Sequence, residues 1–515
     1  MTGSGLEEKL VPSLLLRVEE LSLHHPDGRQ LLANASFKIA PGEIVLLLGP
    51  SGSGKSTLLK LLAGLLQKDS GWKVSGRCHL AGESYDLAEQ RVAAGGIVFQ
   101  NYALFDELSV GGNLAAAADH GQGADPELKL FLRNLLSGIE RDRMPADLSG
   151  GQQQRVAIAR SLLARRPLIF FDEPNAGLDP AQTGRLVELI DTLRRERSLS
   201  MLIVAHHAEQ LLPVANRVLL LDPESASLQE LAADSPKLAA YFALREANRR
   251  AGRRSAPPAG LHRDVEEGAG PLRARVLPSW WLTYAGQYLW LLALAPSMLA
   301  FIVIGGFLTG FVATWSSFQY MPFASYLLPL VHDDTLAALG LTEARVLAPL
   351  MLSVLMAARN SAIIAADVSH RVYTEQIEAM ISLNMSHRAY IGGGVLAGNL
   401  LGALLLTLLL LAVTATASLL TWQLQFPEQP STIFREAFFR LIFPHDTWLP
   451  GGWVWMLAKI LPSALASAAL GLYFGYRPKG SVRSINSAIA RAIIFGVSVA
   501  LMINALITLI EPIND

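Results

Sequence analysis

Cysteine is all but missing. Cys78 stands alone in 515 residues, which excludes an intrachain disulfide and any cysteine metal cluster. Charge is scarce as well: 17% of residues are charged and the net charge is -1, against about 25% charged in a typical soluble chain. With no basic excess, composition implies no nucleic-acid partner. The stretch Met1 to Leu10 has Glu7 and Glu8 and no apolar core. It reads as neither a secretory signal nor an Arg-rich transit peptide, so any membrane insertion falls to later segments. What fills the space is hydrocarbon, 51% of the residues, distributed unevenly. The chain reads as ordinary soluble protein up to about Leu277 and as long apolar runs beyond it, so the length divides into several domains.

The stretch that organises the first half is Gly49-Pro50-Ser51-Gly52-Ser53-Gly54-Lys55-Ser56-Thr57. An apolar run, Ile44 to Leu48, precedes it as a buried strand, and Leu58 to Leu62 follows as a helix. In that setting the spacing predicts a phosphate-binding loop. Gly49, Gly52 and Gly54 let the backbone curl so that successive N–H groups, with Ser51 and Thr57 among them, face one anion at a helix N-terminus. Lys55 reaches the β- and γ-phosphates and the Ser56 hydroxyl ligates Mg2+.

Three further motifs follow in order. Leu148-Ser149-Gly150-Gly151-Gln152 opens a helix and offers bare N–H groups suited to a phosphate. Leu168 to Phe171 is a buried strand ending in Asp172-Glu173; the first carboxylate can hold Mg2+ and the second can orient or deprotonate water. Met201 to Ala205 is a strand ending at His206, which can hydrogen-bond a γ-phosphate. Gln100 ends another short buried strand, Gly96 to Phe99. Singly, each has a bland alternative: a surface glutamine, a satisfied loop histidine, a solvated strand end. Strands alternating with helices predict an α/β core with a largely parallel sheet.

Taken together, Leu14 to Leu221 resembles the nucleotide-binding domain of ABC transporters. Walker A is Gly49 to Thr57, the Q-loop glutamine is Gln100, and the signature is Leu148 to Gln152. Walker B is Leu168 to Asp172, the catalytic glutamate is Glu173, the D-loop is Ala176-Gly177-Leu178-Asp179, and the switch histidine is His206. The resemblance implies an active ATPase using ATP and Mg2+. Mg2+ is then held by Ser56, Gln100 and Asp172, while Ser149, Gly150, Gly151 and Asp179 complete the nucleotide site. His25 stands where the family places a ring on adenine. It also implies a sandwich of two such domains, each nucleotide lying between the Walker A of one and the signature of the other. One chain has one such domain, so a second copy is required.

From Leu228 to Leu244 one or two helices are expected. Arg249, Arg250, Arg253, Arg254, Arg263, Arg273 and Arg275 then form a basic tether with Pro257 and Pro258. Arginines before a membrane segment fix the cytoplasmic side. Trp280, Trp281, Tyr284, Tyr288 and Trp290 predict an interfacial helix over 279–290. Five runs are long enough to span a membrane: Leu291 to Val312, Val346 to Ala366, Ile391 to Leu420, Trp453 to Tyr476 and Ile489 to Ile510. The loop with Asp333, Asp334 and Glu343 is acidic and reads as outside. The loop with Arg477, Lys479 and Arg483 is basic and reads as inside. The loop Phe426 to Pro450 is also outside and includes a second surface helix over 432–443; the tail Glu511 to Asp515 lies outside too. Gly306/Gly310, Gly398/Gly402 and Gly471/Gly475 predict close helix contacts. Arg359 and Asn360 admit two readings, polar glue or a cavity-lining pair. Lys459 and Asn504 are expected to snorkel or to bond locally.

The segment from Ala357 to Asp367, continuing through Tyr373 to Met380, resembles Mla-type (YrbE-like) permeases of bacterial lipid transporters. Arg359, Glu375, Gln376, Ile377 and Ala379 match the family pattern; Asp367 stands for its Glu, Ser369 for a glycine and Ser386-His387 for its Asp-Pro. The resemblance implies that Thr374 to Asn384, with Glu375 and Gln376, is a cytoplasmic coupling helix docking near the Q-loop; the alternative is a surface turn. The expected organisation is an ABC domain over 1–245, a basic linker over 246–278 and an all-α membrane permease over 279–515. The expected function is ATP-driven movement of lipid, phospholipid first. It implies a homodimer in the bacterial inner membrane with a periplasmic MCE-domain partner. The N-terminus would be cytoplasmic and the C-terminus periplasmic. Alternatives are an exporter of another hydrophobic compound and a non-transporting signalling device.

Overall fold

A computed structural model of the chain describes residues 15–66, 71–80, 82–121, 125–166, 168–176, 178–205, 208–238, 240–243, 274–320, 324–443 and 452–511. His206, Gly177 and the linker arginines from Arg249 to Arg273 lie outside the described residues. Two compact units result. One comprises Met1–Arg275 together with Tyr373–Ser386, the other Val276–Val372 together with His387–Asp515.

In the first unit, β1 (Leu16–His24), β2 (Gln30–Ile39), β4 (Lys73–Leu80) and β5 (Glu83–Asp86) form an antiparallel sheet in the order β2-β1-β4-β5. The second sheet runs β10-β9-β3-β8-β7-β6. It is built from β3 (Ile44–Leu48), β6 (Gly95–Val98), β7 (Leu168–Asp172), β8 (Ser200–Val204), β9 (Arg217–Asp222) and β10 (Ser227–Ala232). All its pairings are parallel except β9 with β10. Strands β3, β7 and β8 are buried along their whole length, as expected of continuous apolar runs sandwiched between layers. Helices α1 (Lys55–Leu62), α2 (Val110–His120), α3 (Pro126–Leu135), α4 (Gly150–Leu163) and α5 (Pro180–Arg197) complete the unit. The region from Leu228 is not helical at its start. Leu228 pairs antiparallel with Leu221 and Leu231 with Val218, because an edge position beside β9 satisfies their backbone groups.

The second unit is helical. Its elements are α6 (Pro278–Leu289), α7 (Pro296–Gln319), α8 (Ala324–Thr342), α9 (Ala348–Tyr373), α11 (Gly393–Gln425), α12 (Ser431–Phe439), α13 (Trp453–Tyr476) and α14 (Val482–Ile510); the short α10 (Gln376–Ser382) belongs to the first unit. Among the described residues, five continuous helical stretches are long and apolar enough to cross a membrane: Pro278–Gln319, Val331–Tyr373, Arg388–Gln425, Trp453–Tyr476 and Val482–Ile510. They correspond to the five runs read from the sequence: the first three extend further at both ends, the fourth has the same bounds and the fifth begins earlier.

The glycine pairs sit where helices touch. A Cβ on Gly398 would lie 2.7 Å from the Leu289 amide, one on Gly471 2.9 Å from Ile364 Cβ, and one on Gly475 2.7 Å from Val368 Cβ. Three expectations are corrected. The rings of Tyr284 and Tyr288 are buried in the bundle, Tyr284 stacked on Tyr390 and Tyr288 donating to Asp367 at 2.7 Å, so the Tyr288 hydroxyl is satisfied inside the protein. Asp333 and Asp334 belong not to a loop but to α8, an amphipathic helix whose other face, Leu336 and Leu339, packs with Phe434 and Phe438 of α12; Glu343 is buried in a π-helical turn, Glu343–Leu347. Lys459 does not snorkel. It is fully buried and its Nζ donates to Glu511 at 2.5 Å and to the Arg345 carbonyl at 2.8 Å. Asn504 does bond locally, to the Ala500 carbonyl at 2.8 Å.

Candidate functional site

The loop after β3 is shaped by what glycine allows. A Cβ on Gly49 would sit 2.8 Å from the Leu221 carbonyl oxygen, and Gly54 adopts φ +100° at the N-terminus of α1, a conformation costly for other residues. No side chain caps α1, so its first N–H groups and positive end remain open to an anion. Lys55 is buried, and its Nζ donates to the carbonyls of Gly49 (3.0 Å) and Pro50 (2.8 Å), which arches the loop over its own ammonium group. The Ser53 hydroxyl is buried with no hydrogen-bond partner among the described residues.

Ser56 Oγ donates to Asp172 Oδ1 at 2.8 Å, bringing together residues 116 apart. This pair of hard oxygens suits Mg2+, which takes few protein ligands and completes its shell from phosphate and water. Burial pushes the Asp172 carboxyl up to about 6; the Ser56 hydrogen bond opposes the shift and the Glu375 carboxylate adds to it. Glu173 has φ +52° and its amide donates to the Val204 carbonyl. A left-handed non-glycine costs of order 1–3 kcal/mol, and here it turns the chain at the end of β7. Gln100 is exposed just beyond β6.

Ser149 caps α4 with Gln152 in a reciprocal box, and a Cβ on Gly151 would meet nothing within 4 Å. Ser149, Gly151, Gln152, Leu178 and Gln182 line a cavity of about 370 Å3; Lys55 is not among its walls. Asp179 is spent on capping α5, accepting from the Gln182 amide at 2.7 Å. His25 meets the edge of Trp72 at 4.8 Å. Sequence reading missed Trp72, although the antiparallel register His24↔Lys73 places the two rings side by side.

Tyr373–Ser386 packs within this same unit. Glu375, at φ +61° before α10, and Glu378 clasp Lys60 of α1 at 2.7 and 2.9 Å. Burial alone would lower the Lys60 ammonium, but the Glu378 and Glu375 charges more than offset it and hold it above its usual range. Gln376 Nε2 donates to Asp106 at 2.8 Å, and Arg166 donates to Asn384 Oδ1 at 2.7 Å. Lys60, Asp106 and Arg166 were missed, since their partners lie more than two hundred residues away. In the bundle, Asn360 is fully buried and donates to Asn399 Oδ1 at 2.8 Å; Arg359 donates to Ser297 Oγ at 3.0 Å and to the Leu292 carbonyl at 3.3 Å.

Comparison with known proteins agrees with this geometry. The family described as ABC transporter matches residues 32–176. The chain is 37% identical over 187 residues to the thiamine import ATP-binding protein ThiQ of Yersinia pseudotuberculosis, covering 36% of this chain and 77% of that protein. It is 37% identical over 214 residues to the glutamate/aspartate import ATP-binding protein GltL of Escherichia coli K12, covering 40% and 86%. Among solved structures, cbiO1 from Clostridium perfringens covers 47% of this chain and 96% of its own, at 28% identity and a TM-score of 0.38. The chain belongs to the ABC transporters, and its ATP hydrolysis is coupled to transport. The second half is of one particular kind: residues 290–510 match the family described as Permease MlaE. The chain is thus an ABC ATPase fused to an Mla-type permease.

Proposed function

We propose that this chain acts as a homodimer in a bacterial inner membrane and moves lipid, phospholipid first, to or from a periplasmic MCE-domain partner. The observation that carries the reading is the permease match over 290–510 joined, in one chain, to the ABC transporter match over 32–176. The substrates of the importers named above do not carry over, because the similarity to them lies in the ATPase half. The domain limits that accompany this reading are 1–245, 246–278 and 279–515.

The ATPase half supports the dimer. Ser149 and Gly151 open onto a cavity that lacks Lys55, so a second chain is needed to bring signature and Walker A to one nucleotide. When bound, Mg2+ neutralises charge on the phosphoryl oxygens; Ser56, Asp172 and Gln100 hold it. Lys55 and the N–H groups of α1 bind the phosphates, with Gly49, Ser51, Gly52, Gly54 and Thr57 shaping the cradle. Glu173 takes the proton of the attacking water and His206 senses the γ-phosphate. His25 faces the base, with Trp72 beside it. Movement of α1 is passed through Lys60 to Glu375 and Glu378. The turn between the second and third spans shares a unit with the ATPase. That supports a cytoplasmic placement for this turn and, by counting spans, a periplasmic one for Glu511. Lys479 contributes little to the charge bias, because it is buried and donates to the carbonyls of Phe474 and Gly475.

Two experiments test the proposal. Glu173→Gln should keep ATP binding and lower turnover by about 100-fold or more; normal turnover removes Glu173 from its role. Mass spectrometry of the purified chain should find co-purified phospholipid at a fixed ratio per dimer. Another hydrophobic compound at that ratio would replace the substrate.

A further inference from the structure

At the end of α9 remote from Tyr373 the bundle encloses a cavity of about 210 Å3. Its walls are hydrocarbon and ring faces, among them Leu411 and Ala415 of α11, Phe438 and Phe439 of α12, and Trp453 of α13. Two polar side chains break this lining: Thr414, whose hydroxyl is committed to the Leu410 carbonyl, and Glu343. Glu343 borders the cavity, is only 2% exposed, and lies in the π-helical turn before α9. One of its oxygens accepts from the Ser418 hydroxyl at 2.6 Å, and the other, Oε2, is buried with no hydrogen-bond partner among the described residues. Lys459, a buried cation of this region, is committed elsewhere, to Glu511 and the Arg345 carbonyl.

A half-satisfied carboxyl in an apolar wall is costly by itself and attracts a charged donor strongly. Aromatic faces beside it favour a cation further. We infer that this cavity is an amphiphile site within a single chain, taking an alkyl chain that ends in a primary ammonium group anchored on Glu343 Oε2. A neutral alcohol offers one weaker hydrogen bond and a carboxylate tail is repelled, so the order of preference is amine, alcohol, acid. The site needs no second copy and no nucleotide, so its failure leaves the proposed transport reading standing, and the converse.

The full chain is reconstituted in nanodiscs of phosphatidylcholine, whose headgroup has no primary amine, and probed with a dodecylamine bearing a photoreactive diazirine. The expected adducts fall on peptides containing Phe438, Phe439 or Trp453. Unlabelled dodecylamine should compete best, dodecanol less and dodecanoate least. Glu343→Gln should weaken competition by dodecylamine at least tenfold, and Ala415→Phe, which fills the cavity without touching the carboxyl, should abolish the adducts. Basal ATP turnover should be unchanged in both. Equal competition by all three amphiphiles, adducts elsewhere in the bundle, or labelling that survives Ala415→Phe each overturns the inference.

Discussion

The two units differ in what they leave exposed and in how their elements pack. In the ATPase unit the sheet core is hydrocarbon, Ile44 to Leu48 and Phe170 to Phe171 being wholly buried, and the buried charges Lys55 and Asp172 sit at the phosphate loop and a strand end. In the helical unit Asn360, Asn399, Ser361, Ser418, Ser467 and Lys459 are inside, while Leu509 is 82% exposed and Val312 58%. One chain follows both patterns because it meets two solvents. Water drives apolar side chains together in the first unit. In hydrocarbon that drive vanishes, and helices associate through close glycine contacts and interhelical hydrogen bonds. Burial therefore means stability in one half and specificity in the other.

The comparison can be broken in several ways. The largest structural effect is expected at Lys60, which belongs to the water-facing rule yet holds two carboxylates, Glu375 just before α10 and Glu378 within it. Lys60→Ala leaves Glu375 and Glu378 without their cation and should weaken docking of 373–386 by about 3 kcal/mol. Hydrogen exchange over 376–382 reads this as accelerated exchange, and Lys60→Arg should restore most of the protection. Next, Leu46→Ala should destabilise the ATPase unit by about 2–5 kcal/mol through its cavity, measured by denaturant titration. Leu509→Ala in the bundle should change thermal stability in nanodiscs hardly at all, and equal losses at the two leucines would refute the two-solvent account. Asn399→Leu removes the partner of Asn360 together with bonds to the Ala464 carbonyl and Ser467. It should cost about 0.6–2 kcal/mol by unfolding in mixed micelles. The smallest effect concerns Cys78, buried with its thiol pushed up to about 12 by burial. The folded chain should resist iodoacetamide at pH 8, with mass spectrometry showing alkylation only after unfolding.

The same contrast explains what was legible. The phosphate loop, Asp172-Glu173 and the signature are short and contiguous, each set by a local turn between a strand and a helix, so spacing revealed them. The apolar runs revealed the five spans because hydrocarbon thickness fixes their length. In the sequence, helix α8 reads as a loop because Asp333 and Asp334 lie on its open face. Its apolar side becomes visible only against α12. Lys60, Trp72 and Arg166 carry no motif. Their roles come from partners that tertiary packing delivers, in Lys60's case 315 and 318 residues along the chain.

The most direct measurement of the central claim is ATP turnover per chain in nanodiscs sorted by copy number. Discs holding two copies should hydrolyse ATP, while discs holding one copy should bind it and stay silent. Equal turnover per chain in single-copy discs would contradict the account.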